Sequence, residues 1–437
     1  MFRSANSMPT HAELLTRHRA VLPRWLALYY EQPIALVDGE GRRVRDAEGN
    51  EYLDFFGGIL TTMTGYKVAE VVEAIKAQAE RMLHSSTLYL IENQIILAEK
   101  IAELSGIPDP KVFFTNSGTE ANDAALMIAT QYRRSNQVLA LRGSYHGRSH
   151  STVAITGNRS WSATSLSPFN VTYIHGGYRL RSPFRGLADH DYIAACRTDL
   201  ENLLEVATAG DVACLIAEPI QGVGGFITPP DGLLSALKEI CDRHGILFIT
   251  DEVQTGWGRT GENFWGYQAH DLTPDFLTFA KGLGNGMALA GVVGRAELMD
   301  SLPANSISTF GGNPLSTAAG LANLDYLLSH DLQTNAYKVG NRLKANLDHL
   351  ADEVEIVAEV RGKGLMLGVE LVKPGGLDPD PAAAAAIMEE ARTEGLLIGK
   401  GGLYGNTLRI APPLSLTEEE ADEGYEKLAR AVMRITG

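Results

Sequence analysis

The sequence holds little cysteine. Cys196, Cys214 and Cys241 are its three thiols, and they have neither metal-ligand spacing nor the density of a disulfide framework. They read as packing residues in a reducing compartment. Positive charge is also scarce, with 38 Lys and Arg against 53 Asp and Glu and a formal net charge of -15. The surplus is spread along the chain, which argues against nucleic acid and anionic membranes as partners. Any anionic ligand must then find a local basic pocket. No apolar run reaches membrane-spanning length, and Met1 to Leu15 lacks the apolar core of a secretion signal, so a cytoplasmic protein is expected. What is present is ordinary for a folded chain: 45% hydrophobic and 21% charged residues exclude disorder. At 437 residues the chain exceeds the usual size of one core, so one large and one smaller domain are expected.

From about Lys111 to Gly294 short β-rich runs alternate with helical stretches. The runs are Val112-Phe113-Phe114, Val138-Leu139-Ala140, Cys214-Leu215-Ile216, Ile246-Leu247-Phe248-Ile249, Phe276-Leu277-Thr278 and Gly291-Val292-Val293. Continuous apolar strands are buried on both faces, which predicts an α/β fold with a mostly parallel sheet covered by helices. Asp231 to His244 carries Leu233, Leu234, Leu237 and Ile240 at helical spacing and stops at Gly245, as a crossover helix would. Polar residues close several strands: Asn116-Ser117-Gly118-Thr119, Glu218, Asp251 with Gln254, and Lys281. Ligands of open α/β sheets bind outside the carboxyl ends of strands, so these residues are expected to converge on one crevice. After about Ser329 the pattern changes to amphipathic helices near Ala336 to Ala351 and Pro381 to Glu394, strands at Gly364 to Leu371 and Thr407 to Ile410, and a last helix from Glu418. The alanine run Ala382 to Ala386 reads as helix filler. Near the amino terminus, Val44 to Asp54 reads as strand, turn and strand about Gly49-Asn50. The expected division is residues 1–55 joining a small domain, 56–330 as the large domain, and 331–437 as the α+β remainder. No internal repeat is found.

Three motifs carry chemistry. Asn116-Ser117-Gly118-Thr119-Glu120-Ala121 follows a strand and opens a helix running to about Arg134, where free N–H groups, hydroxyls and a glycine make a site for a phosphate dianion. A plain helix cap would look the same. Asp251, directly after a buried strand, needs a cationic partner, because an unpaired buried carboxylate costs several kcal/mol. A protonated pyridine nitrogen would serve; capping or metal binding would also use an aspartate, but no second ligand sits at metal spacing, so no metal is expected. Lys281, in Phe279-Ala280-Lys281-Gly282-Leu283-Gly284, ends an apolar strand among glycines, against the usual solvated place of a lysine. A desolvated amine loses its proton more easily and forms an imine with an aldehyde. Phosphate cradle, strand-end aspartate and strand-end lysine match the phosphate, ring nitrogen and aldehyde of pyridoxal 5'-phosphate, which supplies an electron sink while the protein supplies orientation and charge.

The motifs Asn116-Ser117-Gly118-Thr119-Glu120-Ala121-Asn122, Tyr145-His146-Gly147-Arg148, Glu218-Pro219-Ile220-Gln221, Asp251-Glu252-Val253-Gln254-Thr255-Gly256, Lys281-Gly282, Thr309-Phe310-Gly311-Gly312-Asn313-Pro314 and Arg361-Gly362-Lys363-Gly364-Leu365 belong to a match that covers nearly the whole chain. Together they resemble the fold-type I, class III aminotransferases, a group that includes ornithine, 4-aminobutyrate and omega-amino acid aminotransferases. The resemblance implies a large domain with a mostly parallel, seven-stranded type of sheet plus a smaller α+β domain. It implies that Lys281 holds pyridoxal phosphate as a Schiff base and shuttles the substrate α-proton, and that Asp251 keeps the pyridine nitrogen protonated. Gln254 would bond the ring oxygen, Tyr145 would stack on one ring face and Val253 on the other, and His146 would belong to the same cofactor shell. Ser117, Gly118 and Thr119 would bind the phosphate, completed by Thr309 of a neighbouring subunit, so a homodimer with shared sites is implied, with its pairing into tetramers left open. Glu218 would sit behind Asp251 and hold its hydrogen-bond network. Ordinary core packing or capping would equally account for Tyr145, Val253 and Glu218 taken singly. Arg409 matches the arginine that grips the α-carboxylate of donor and acceptor. Arg148 matches a position that meets a distal carboxylate in 4-aminobutyrate and acetylornithine enzymes, or else forms a surface salt bridge.

Two departures bear on substrate. Relatives that pair ω-amines with glutamate often carry a glutamate just after the Glu-Pro-Ile-Gln stretch, where it neutralises the carboxylate-binding arginine; here that stretch reads Gly222-Val223-Gly224-Gly225. Thr64-Gly65-Tyr66-Lys67-Val68 replaces a glycine-histidine run. Tyr52 to Ile59, Gly261 to Gln268 and Thr309 to Pro314 look most like alanine-glyoxylate aminotransferases of the type 2 kind. The expected reaction is therefore a ping-pong amino transfer from an alanine, β-alanine or 3-aminoisobutyrate type of donor to pyruvate or glyoxylate. A 4-aminobutyrate or ornithine enzyme using 2-oxoglutarate, a decarboxylase, racemase or aminomutase on the same fold, and a cofactor-binding regulatory domain are the alternatives. The last would need a DNA-binding segment, and none is found.

Overall fold

The computed structural model describes residues 9–436. The first eight residues, part of the stretch read for a secretion signal, and Gly437 lie outside the described residues. The apolar runs form one seven-stranded sheet, in the spatial order Pro110–Thr115, Ala290–Arg295, Phe276–Phe279, Leu247–Asp251, Cys214–Ala217, Gln137–Leu141 and Asn170–Ile174. Every neighbouring pair from Phe276–Phe279 to Asn170–Ile174 is parallel. Ala290–Arg295 runs antiparallel to both its neighbours. The cause is chain length: the link from Phe279 to Ala290 is too short for a crossover helix, so the strand must turn back. That link carries Lys281. Asn170–Ile174 is the one strand of this sheet absent from the sequence reading.

Alternate residues along the strands enter different cores. Leu139, Leu141, Leu215 and Phe248 pack with Tyr192, Leu200, Leu237 and Ile240 of the helices Asp189–Val206 and Leu233–Arg243. Val138, Ala140, Ile216 and Ile249 pack instead with Ala125, Leu126, Ile128 and Ala129 of the helix Gly118–Arg133. A period of two thus covers both faces of the sheet. The three cysteines are unpaired and buried among these side chains, as packing residues.

Two smaller sheets complete the fold among the described residues. Leu36–Glu40, Arg43–Asp46 and Glu51–Asp54 run antiparallel, and Leu396–Leu397 joins in parallel, with Leu53 opposite Leu396. Gly49, at φ +91°, makes the turn that the Gly49-Asn50 pair signals. Val357–Lys363, Met366–Leu371, Thr407–Ile410 and Gly399–Gly401 form an antiparallel sheet. Helices Leu332–Glu353, Pro381–Thr393 and Glu418–Thr436 supply Leu343, Leu347, Ile387, Leu428 and Val432 to its core. No described helix is long and apolar enough to cross a membrane.

Candidate active site

The carboxyl ends of the large sheet open into a cavity of about 520 Å³. Its floor is Lys281, two residues beyond the strand Phe276–Phe279 and held at φ +42°, a left-handed conformation that costs a lysine about 1 kcal/mol. Its amine bonds to no side chain or carbonyl among the described residues, and burial depresses it to about 8, with Asp251 and Glu218 pulling upward and Arg409 downward. Half of it is therefore neutral near pH 8, where an ordinary lysine is almost wholly protonated. Competitive labelling of the apoprotein with an amine-directed reagent should show Lys281 titrating near 8, below every other lysine; a midpoint above 10 would refute the desolvated-amine reading.

Asp251 ends the neighbouring parallel strand and is 4% exposed. Its Oδ2 accepts from Asn122 Nδ2 at 2.8 Å and faces His146 Nδ1 at 2.7 Å, while Oδ1 accepts from the Val253 amide at 3.1 Å. The Asn122 amide cannot flip, because its Oδ1 accepts from the Thr278 hydroxyl and its Nδ2 also donates to the His146 carbonyl. Asp251 is thus held as an acceptor facing the cavity, paired in the sheet with Thr278, three residues before Lys281. His146 Nε2 is buried without a partner among the described residues. Glu218, also buried, has no direct hydrogen bond to Asp251 among the described residues. Its two oxygens instead accept from the amides of Tyr145 and Gly222, at 2.9 and 2.8 Å, so it ties the Tyr145 loop to the Gly222 turn. Burial pushes its carboxyl above the usual range, with His146 opposing and Asp251 adding to the rise.

The helix Gly118–Arg133 aims its amino end at the same cavity. Ser117 caps it, accepting from the Glu120 amide at 3.3 Å, and the amides of Gly118 and Thr119 have no partner among the described residues and are open to an anion. A Cβ on Gly118 would come 3.0 Å from Val253 Cγ2, so only glycine lets helix and Val253 close together here. A Cβ on Gly147 would come 2.6 Å from Thr119 Oγ1, which sets the Tyr145–Gly147 loop hard against the helix start. Tyr145 stands edge-on to Trp161, ring centroids 5.5 Å apart.

Across the cavity Arg409, on the strand Thr407–Ile410, is 4% exposed. Its guanidinium lies between the rings of Phe226 and Phe56, at 4.6 and 5.1 Å. Its one side-chain hydrogen bond runs to Gln254 Oε1 at 2.8 Å; no carboxylate pairs with it among the described residues, and Nε is buried without a partner. Burial holds its pKa below the ordinary value, against upward pulls from Tyr29 and Glu218. Val223 lines this side of the cavity. The structure therefore brings together Ser117, Gly118, Thr119, Tyr145, His146, Glu218, Asp251, Val253, Gln254, Lys281 and Arg409. Two expected residues stand apart. Arg148 makes no ion pair among the described residues and lies over the Trp25 ring at 5.2 Å, outside the cavity lining. Thr309 is exposed on a loop outside the cavity of its own chain. The sequence reading missed Tyr29, Phe56 and Trp161 in the lining. Tyr29 stacks on Phe56 at 5.5 Å, and its hydroxyl donates to the Lys400 carbonyl and accepts from the Lys400 amide. Its signal was only an aromatic pair, Tyr29-Tyr30, ahead of Pro33.

An unbonded buried amine, a buried carboxylate with one face to the cavity and a helix amino end, all around one space, fit a group with an aldehyde, a basic ring nitrogen and a phosphate. Such a fold and site define a pyridoxal-phosphate enzyme of fold type I. The chain belongs to the class III aminotransferases: the family described as Aminotransferase class-III matches residues 28–432. It is 42% identical over 419 residues to alanine–glyoxylate aminotransferase 2 homolog 2, mitochondrial, of Arabidopsis thaliana, covering 95% of this chain and 86% of that protein. Among solved structures, it is similar to a thermostable (S)-enantioselective omega-transaminase from Thermomicrobium roseum, with a TM-score of 0.91 at 32% identity over 99% of this chain and 100% of that one. An amine transaminase from an uncultivated Pseudomonas species in its PLP-bound form gives a TM-score of 0.87 at 32% identity, covering 92% and 95%. The protein is a transaminase acting on an amino donor and a 2-oxo acid, and its cofactor is pyridoxal 5'-phosphate.

Proposed function

We propose that the donor is of the alanine, β-alanine or 3-aminoisobutyrate type, that the acceptor is pyruvate or glyoxylate, and that the two half-reactions follow one another on one site. Arg409 carries this reading. A buried guanidinium with no carboxylate beside it calls for an anion from the substrate. Val223 stands where ω-amine enzymes that use glutamate carry a neutralising acid, so the arginine stays charged and open whichever substrate enters. The name of the Arabidopsis relative favours the same alanine and glyoxylate pair. The test is a screen of amino donors against pyruvate, glyoxylate and 2-oxoglutarate. Turnover with the two short acceptors should exceed that with 2-oxoglutarate by about tenfold, the discrimination expected of one unmet carboxylate. A preference for 2-oxoglutarate would overturn the reading of Val223.

Each side chain has one task in this scheme. Ser117, Gly118 and Thr119 hold the phosphate, Asp251 faces the ring nitrogen and His146 fixes Asp251, Gln254 meets the ring oxygen, and Tyr145 and Val253 take the two ring faces. Bound there, pyridoxal phosphate supplies a sink for the electron pair released at the amino-bearing carbon. Lys281 would hold the cofactor through Nζ and, once freed by the incoming amine, would take the proton from the substrate's amino-bearing carbon and give it up to the former aldehyde carbon, the shift that moves the amino group. A pKa near 8 suits both directions of transfer, because amine and ammonium are both populated at working pH. Arg409 sets the carboxylate, and with it which hydrogen faces Lys281.

A homodimer completes the site in this reading. Thr309 lies between Ile307 and Phe310, both more than half exposed, and the Phe310 ring lies against the exposed His84, with centroids 4.9 Å apart. Apolar surface of that extent marks a contact, and a second copy would bring Thr309 to the phosphate. The pairing of Glu51–Asp54 with Leu396–Leu397 supports assigning 1–55 and 331–437 to one small domain around the large domain 56–330. The three unpaired thiols favour the cytoplasm.

A further inference from the structure

Behind Arg409 lies a buried ion cluster that the chemistry above does not use. Arg361 has a side chain 6% exposed and faces Glu370, which is fully buried. Its Nη1 donates to Glu370 and to Glu359, at 2.6 Å each. Its Nη2 reaches Thr407 Oγ1 at 3.3 Å, and its Nε donates to the Gly225 carbonyl at 2.9 Å. The second oxygen of Glu370 accepts from Tyr178 Oη and Arg181 Nε, at 2.7 and 3.0 Å. Taking two such charges from water is costly, and a hydrophobic pair of equal volume would serve stability as well. The cluster's contacts say what it holds.

Gly225 belongs to the tight turn Gly222–Phe226, closed by the Gly225 and Phe226 amides on the Gly222 carbonyl. The turn is pinned at three further points: Glu218 on the Gly222 amide, the Gly402 amide on the Val223 carbonyl, and Arg361 on the Gly225 carbonyl. It needs the pins, since Phe226 adopts φ +54°, a conformation that a bulky residue keeps only when its surroundings impose it. Space is set just as tightly, for a Cβ on Gly225 would lie 2.8 Å from Thr407 Oγ1 and 3.0 Å from Arg361 Nη2. The turn delivers two groups to the substrate side: Val223 in the cavity wall and Phe226 against the Arg409 guanidinium. Removing the Nε bond would leave the Gly225 carbonyl unpaired in the interior, free the strained Phe226, and take away one of the two rings that aim Arg409.

We propose that Arg361 is a positioning residue for carboxylate recognition, acting through the Gly225–Phe226 turn on Arg409. It rests on the reading of Arg409 as the carboxylate-gripping group. Arg361→Lys tests it, because lysine keeps a cation before Glu370 and Glu359 but loses the Nε donor and the planar fork. On the holoenzyme, the dissociation constant of propionate, read from the cofactor's absorbance, should weaken about tenfold, the loss of roughly one charge-assisted hydrogen bond. The rate at which hydroxylamine, which has no carboxylate, reacts with the bound cofactor should change less than about twofold, as should the cofactor's own affinity. An unchanged propionate constant, or a parallel change in all three, overturns the proposal. Arg409→Met, measured beside it, separates the two claims. If that variant still binds propionate normally, the reading of Arg409 fails; if it loses propionate and Arg361→Lys does not, only the positioning role fails. The double variant should bind propionate no worse than Arg409→Met alone. Should Arg361→Lys not fold, Glu370→Gln, which keeps the shape and loosens the arginine's anchor, should give the same pattern at smaller size.

Discussion

Lys281→Ala leaves a protein that still folds and still takes up pyridoxal phosphate, but no longer holds it covalently, and amino transfer falls by about four orders of magnitude or more. Two losses combine. Lys400, the other lysine in the cavity lining, is held through its backbone at Tyr29, and Glu218, pushed up to about 7, is tied by both oxygens to the Tyr145 and Gly222 amides, so neither replaces the bond to the aldehyde carbon or the proton carrier. The phosphate and ring contacts proposed for Ser117, Gly118, Thr119 and Asp251 do not depend on that amine, so reversible binding survives. Folding should survive too, because the lysine side chain makes no hydrogen bond among the described residues and its charge is disfavoured where it sits. Borohydride reduction followed by peptide mapping reads the first loss directly: the wild-type protein should carry the label on the peptide containing Lys281 and the variant should carry none. Label on another side chain, or full turnover without the lysine, would end this account of the site.

How the site became readable follows from where each residue lies. Asp251 and Lys281 end apolar runs, and a charged residue at the end of a buried strand is improbable unless something binds it, so the sequence pattern alone isolates both. Ser117 and Gly118 open a helix directly after another strand, and the same logic applies. The strand Asn170–Ile174 escaped because it lies at the sheet edge, pairs on one side only and so tolerates Asn170, Thr172 and Tyr173 where an inner strand carries aliphatic residues. Tyr29 escaped for a different reason. Its place is fixed by Phe56 and by the backbone of Lys400, 371 residues away, and no local period records such a contact. Glu218 was found but its bonding was not, since a strand-end carboxylate can turn to either of two neighbouring loops, and the free amides of Tyr145 and Gly222 decided the matter. The wall at Gly57–Leu60, with Ile59 and Leu60 at φ +67° and +61°, has no sequence signal for its non-glycine members at all. Such strain is maintained by packing from distant segments.

Asp251→Asn separates holding the cofactor from using it. In the wild-type protein two donors, Asn122 Nδ2 and His146 Nδ1, converge on one oxygen of Asp251. An asparagine must keep its oxygen toward those donors, because turning its NH₂ to Asn122, whose amide is locked by Thr278, would set donor against donor. The NH₂ then takes the place of Oδ1, where it meets the Val253 N–H donor and offers the ring nitrogen no negative charge. A neutral ring accepts the electron pair from the substrate carbon poorly, and removal of one preorganised charge from a buried site costs about a thousandfold in rate. Cofactor affinity should fall far less, about tenfold, because the phosphate end and Lys281 are untouched. The diagnostic step replaces the cofactor by its N-methylated form, whose ring nitrogen is positive without any proton. If Asp251 acts by keeping that nitrogen charged, the analogue should recover much of the rate in the variant while giving the wild-type enzyme no advantage. A variant that keeps wild-type rates with the natural cofactor, or gains nothing from the methylated one, would remove Asp251 from that role.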